Sequence, residues 1–168
     1  MSDPHKDAKD ELRRHLQAGR EALVATLEGI GDGQAGRPVA GSATSLLGLA
    51  RQMAAMEAGY LGQVFDNPYP DDLPWWDGES EPDGRSAAGD DSVDSVVALY
   101  RRVWAHCDET ADVLGLGAPG RVTWWPADRA EVNLHQVLVL LVAATQHAAG
   151  QAQVARATSL GAGDSDRP

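Results

Sequence analysis

The chain has 168 residues, with 14 Lys or Arg against 25 Asp or Glu, one Cys, and a formal charge of −11. That length suits one domain with its own core, the lone Cys107 excludes an intrachain disulfide and any Cys-rich zinc module, and a pI near 4.7 disfavours nucleic acid as a partner. The polar N-terminus has no signal-peptide core, and the longest unbroken apolar run, Val137 to Ala144, falls far short of the roughly 20 residues of a membrane span.

Helix one is predicted from Pro4, capped by Asp3, because Leu12, Leu16, Gly19, Leu23, Leu27 and Ile30 recur with helical spacing until the glycines at 29 to 33. After a Gly/Pro-broken stretch, Thr44 or Ser45 caps helix two. Its stripe of Leu46, Leu49, Ala50, Met53, Glu57, Tyr60, Leu61 and Val64 runs to about Phe65. Residues 66 to 91 carry nine acidic side chains and one basic, together with Pro68, Pro70, Pro74 and Pro82, so they form a connection. Helix three follows Asp91-Ser92, with Val93, Val96, Val97, Tyr100, Val103, Trp104, Cys107, Ala111 and Leu114 on one face until Gly115. Asn133 caps helix four, which is predicted to end near Thr158, with a disordered tail over about 160–168.

Four amphipathic helices and no convincing strand predict an all-α four-helix bundle, in one domain over 1–168. A helix of this length is about 32 Å long, and the acidic connection is long enough to run back along it at up to about 3.3 Å per residue. A tight hairpin would need only a few residues. The expected topology is therefore up-down-down-up, with the crossover between helices two and three. The expected state is a cytoplasmic monomer or homodimer that binds neither membrane nor nucleic acid.

The strings LLGLARQMAAMEAGYLGQVF (Leu46 to Phe65) and NLHQVLVLLVAATQHAAGQAQVARA (Asn133 to Ala157), with the TWW before the last helix, resemble the DinB-like superfamily. The branch they resemble is the one related to mycothiol-dependent maleylpyruvate isomerase and the mini-circle proteins of actinomycetes, which implies an actinobacterial source. The resemblance implies the same four-helix bundle and, in many members, a metal-dependent thiol S-transferase or isomerase. It also implies a divalent ion held by a His of helix two and by two residues four apart on helix four. Those positions fall on Gln52, Ala144 and Ala148 here. Alanine offers no donor atom and a carboxamide is a poor zinc ligand, so neither a metal nor another cofactor is expected.

Glu57, on the apolar stripe, is a candidate general base with a pKa raised by burial; the plainer alternative is a structural pairing with Arg51, Arg20 or a backbone N–H. His147 is a candidate acid or base one residue from the expected ligand position, with Gln151 at i+4; its plainer role is a hydrogen bond to Gln151 or solvent. Cys107 lies on an apolar stripe and reads as a core residue, with the adjacent His106 turned about 100° away. Trp75-Trp76 and Trp124-Trp125 lie in the two connections that the topology brings to one end. They either line the mouth of an apolar pocket or plug the bundle. Asp77, Glu79, Glu81 and Asp83 alternate as in a calcium loop, but position six is Pro82 and position twelve Ala88, so this reads as a solvated acidic loop.

The resulting expectation is a small organic ligand in a crevice lined by Gln52, Ala144, Ala148, Gln151 and the Trp pairs. The alternative is a thiol-dependent, mycothiol-type S-transferase or isomerase with a rebuilt or metal-free site, acting through Glu57 or His147. A protein-interaction role for the acidic crossover is a third possibility.

Overall fold

The computed structural model describes residues 4–38, 44–82 and 91–164, with the side chains of 162–164 left out. The expected N-cap Asp3, the calcium-like Asp83 and residues 165–168 of the tail lie outside the described residues.

Helix α1 spans Pro4–Ala25 and buries Leu16, Gly19, Arg20, Leu23 and Val24. Leu27 and Ile30 continue its buried stripe beyond the helix proper. Arg156 caps its end, donating from Nη1 to the carbonyls of Thr26 (2.8 Å) and Glu28 (2.7 Å). After a one-turn helix at Asp32–Ala35, helix α2 opens at Leu46–Met56, with the Ser45 side chain accepting from Gly48 N at 3.0 Å. It widens into a π segment at Glu57–Gly62 and closes with a 3-10 turn at Gln63–Phe65, where Asp66 adopts a positive φ of 59°. Helix α3 spans Val93–Val113; the Ser92 hydroxyl caps Ser95 N, and Asp32 accepts from Val93 N at 2.8 Å. Helix α4 spans Leu134–Asp164. It begins in a reciprocal capping box, Asn133 Oδ1 accepting from Gln136 N and Gln136 Oε1 from Asn133 N, each at 2.9 Å.

Hydrogen bonds between elements fix the directions. Gln146 reaches His15 O while Arg156 reaches the end of α1, so α1 and α4 run parallel. Lys9 meets Ala111 O while Asp32, just past α1, meets Val93 N, so α3 runs against α1. Glu57 meets Tyr100 while Asn67 meets Thr110, so α2 and α3 run together. The bundle is up-down-down-up, with the acidic segment crossing between α2 and α3.

Three features differ from the sequence reading. The connection after α3 holds a small antiparallel hairpin, β1 Pro119–Arg121 with β2 Glu131–Asn133, in register Gly120 opposite Val132. Strands of three residues are too short to show an alternating pattern. Helix α4 continues to Asp164 rather than stopping near Thr158, and its described part includes 160–164, expected to be disordered. Gly161 costs a helix only about 1 kcal/mol and is no stop signal like proline. The π widening within α2 leaves no mark on periodicity. Leu134–Gly161 also has the length and hydropathy of a membrane-crossing helix, although no single apolar run in it is that long. In the fold its Leu134, Val137, Leu138 and Leu141 are buried in the bundle.

Candidate functional site

The π segment starts at Glu57, a fully buried carboxylate. Such wide turns are uncommon and often accompany functional positions. Gly62 makes the turn possible: a Cβ there would stand 2.9 Å from Asn67 O, whose own N–H donates to Gly62 O at 3.1 Å. Glu57 takes three donors: Arg20 Nε at 3.0 Å and Tyr100 Oη at 3.1 Å on Oε1, and Arg20 Nη2 at 2.5 Å on Oε2. Arg20 extends the network to Asp108 (2.9 Å) and Gln17 (3.1 Å), and its guanidinium lies 5.5 Å from the Trp104 ring.

Burial raises the Glu57 pKa above its ordinary value, against the lowering effects of Arg20 and Tyr100. Burial pulls Arg20 down, but Glu57 and Asp108 outweigh it and the net shift is upward. The two shifts point to different protonation preferences for Glu57. Three donors and no acceptor around its oxygens are the surroundings of an ionised carboxylate, so the pair is ionised at neutral pH, while burial makes Glu57 take up its proton at a higher pH than an exposed carboxylate does. Of the partners considered from sequence, Arg20 is the one found. Cys107 donates its S–H to Glu57 O at 3.3 Å, and burial followed by the Glu57 charge pushes its thiol well above the usual range. It is a core thiol, and His106 instead meets Asn67 O at 3.1 Å.

The tryptophans divide. Trp75 is buried beside Arg51, 5.7 Å from its guanidinium, and donates to Asp91 at 3.2 Å. Trp76, Trp124 and Trp125 gather at Tyr60, whose hydroxyl accepts from the indole N–H groups of Trp124 (3.2 Å) and Trp125 (3.1 Å). Trp76 and Trp124 meet edge to face at 5.7 Å. Gly59 lets this cluster close, since a Cβ there would lie 3.1 to 3.2 Å from Trp76, Pro82 and Trp124. The crossover and the last connection therefore do meet at one end of the bundle.

A cleft of about 470 Å³ opens between α2 and α4. Gln52, Met53 and Met56 form one wall, Ala144, His147, Ala148 and Gln151 the other, and Glu81 with Pro82 of the crossover closes one side. Gln52, Ala144, Ala148 and Gln151, singled out from sequence, thus share one cavity. Glu57 lies elsewhere, in the buried network. The Trp residues are not among the cleft's walls; Trp76 and Trp124 gather with Pro82 around Gly59, and Trp75 stands apart beside Arg51. His147 and Gln151 also border a second cleft of about 550 Å³, with Thr44, Leu49 and Val154. Met53, Met56, Glu81 and Pro82 were missed as cleft residues. Met53 was visible only as core stripe and Glu81 only as part of a solvated run.

The donor set does not fit the divalent ion that the resemblance implies. Two of the three positions are methyl groups and the third is a carboxamide, and the described residues hold no group of three His, Cys, Asp or Glu able to share an ion. The mycothiol-S-transferase family model matches residues 11–161. The chain belongs to that family. No curated protein matches it. Membership in this DinB-like family accords with the all-α helical bundle.

Proposed function

We propose that this mycothiol S-transferase family member binds a small organic molecule in the cleft between α2 and α4 without a metal ion. The observation that carries the reading is the composition of that cleft: Gln52, Ala144 and Ala148 stand where the family resemblance calls for ligands. A volume of about 470 Å³ lies within the range of small-molecule sites. Met53, Met56 and Pro82 supply apolar contact, and two carboxamides supply orientation. Binding of fragments, followed by backbone and carboxamide NMR shifts, should perturb Gln52, Ala144, Ala148 and Gln151 together. Perturbation confined to other faces of the bundle would contradict the reading.

Family membership favours a second reading, thiol-dependent transfer to an electrophile. In it His147 is the imidazole on the cleft rim able to take a thiol proton, while Glu57, held by Arg20 and Tyr100, acts only on packing. Mycothiol-dependent turnover lost in His147→Ala and retained by a folded Glu57→Gln supports it. Turnover unaffected by His147→Ala removes that role.

A further inference from the structure

Among the described residues no Lys or Arg lines the cleft, His147 is its one imidazole and Glu81 its one carboxylate. Among the described residues the side chains of Gln52, Gln151 and Glu81 have no hydrogen-bond or ion-pair partner. Their oxygens are therefore available as acceptors.

Glu81 is held in place by its neighbours. The Asp77 carboxylate accepts from Glu79 N (2.9 Å), Ser80 N (3.0 Å) and the Ser80 hydroxyl (3.0 Å), which closes a tight turn. Trp76 donates its indole N–H to Ser80 O at 2.8 Å, and Gln63 of α2 donates to Gly78 O at 2.7 Å. On the other side, Pro82 is buried against Gly59. The carboxylate thus sits between two anchored residues at the edge of the cleft. The net charge of −11 and the neighbouring carboxylates of Asp77 and Glu79 in the same turn add a negative field at that edge.

We infer that the cleft takes a small organic cation, a protonated amine on an apolar body, with Glu81 as its counter-ion; this rests on the reading of the cleft as a binding site. The ammonium meets Glu81 and the carboxamide oxygens of Gln52 and Gln151, and the apolar part lies against Met53, Met56 and Ala148. A carboxylate or phosphate ligand would meet Glu81 with no Lys or Arg among the described lining residues to offset it.

The test titrates the full chain with three matched probes, phenethylamine, 2-phenylethanol and phenylacetate, by NMR. The expected result is at least tenfold tighter binding of the amine than of the alcohol, and no measurable binding of the anion. In Glu81→Gln the amine and alcohol should bind within about twofold of each other. Gly59→Ala, which displaces Pro82, should weaken the amine more than the alcohol. Equal affinities for amine and alcohol, or tightest binding of phenylacetate, overturn the charge preference while leaving the cleft a binding site. An amine preference that survives Glu81→Gln overturns the role of Glu81. If none of the probes shifts any cleft residue, this inference and the binding site itself both fall.

Discussion

Gln52 and Glu57 lie five residues apart on one helical segment, about 140° apart around an ideal axis, and their surroundings are opposite. Glu57 is sealed from water and every oxygen has a donor; Gln52 is half-buried, faces a cleft and has no side-chain partner among the described residues. The first region is a completed polar network that ties α1, α2 and α3 together. The second is polar surface left open, which suits a ligand more than a fold. A perturbed pKa does not by itself mark a reactive site: at Glu57 burial accompanies a structural ion pair, whereas Glu81 and Gln151 of the cleft stand open to solvent.

The sharpest way to break this contrast is to remove the arginine. Arg20→Met leaves Glu57 buried with Tyr100 alone, and urea unfolding should show a loss of about 3–5 kcal/mol. The double variant Arg20→Met/Glu57→Leu should recover most of that loss, because no buried charge is left unpaired. A cost below about 1 kcal/mol for the single variant would mean that the network does not hold the bundle. Gly62→Ala comes next, since its Cβ meets the Asn67 carbonyl at 2.9 Å; overpacking of this kind costs about 1–3 kcal/mol.

Titration sharpens the comparison further. The folded-state pKa of Glu57 is raised, so between its ordinary value and the raised one the native state holds a proton that the unfolded state has released. The stability of wild type relative to Glu57→Gln should therefore be greatest below the ordinary carboxylate range and shrink as pH rises through the raised pKa. Thermal unfolding of both proteins across pH checks the sign, and a margin that grows with pH would contradict it. The smallest expected effect is on the cleft side: Gln52→Ala should leave stability within about 0.5 kcal/mol while changing the affinity for cleft probes.

Much of the fold was legible because long stripes of apolar residues at helical spacing admit few arrangements. The length and acidity of residues 66–91 carried the crossover. The capping roles of Ser45, one of two candidates with Thr44, and of Asn133 were also visible, since their side chains offer the acceptors that helix starts lack. Less could be read where the signal is three-dimensional. Arg20 was one of three partners considered for Glu57, but Tyr100 looked like an ordinary core residue, and only packing shows that its hydroxyl completes the network. The π turn hides in the spacing of Gly59 and Gly62, and nothing in the acidic run singles out Glu81, whose place comes from the anchored residues on either side of it.

Native mass spectrometry of the full chain, purified from cells supplied with zinc, nickel and manganese, puts the open cleft to its most direct test. The expected spectrum carries no increment for a divalent ion, either in the wild-type protein or in Gln52→Ala. One ion per chain in the wild type, lost in Gln52→Ala, would contradict the metal-free account of this site.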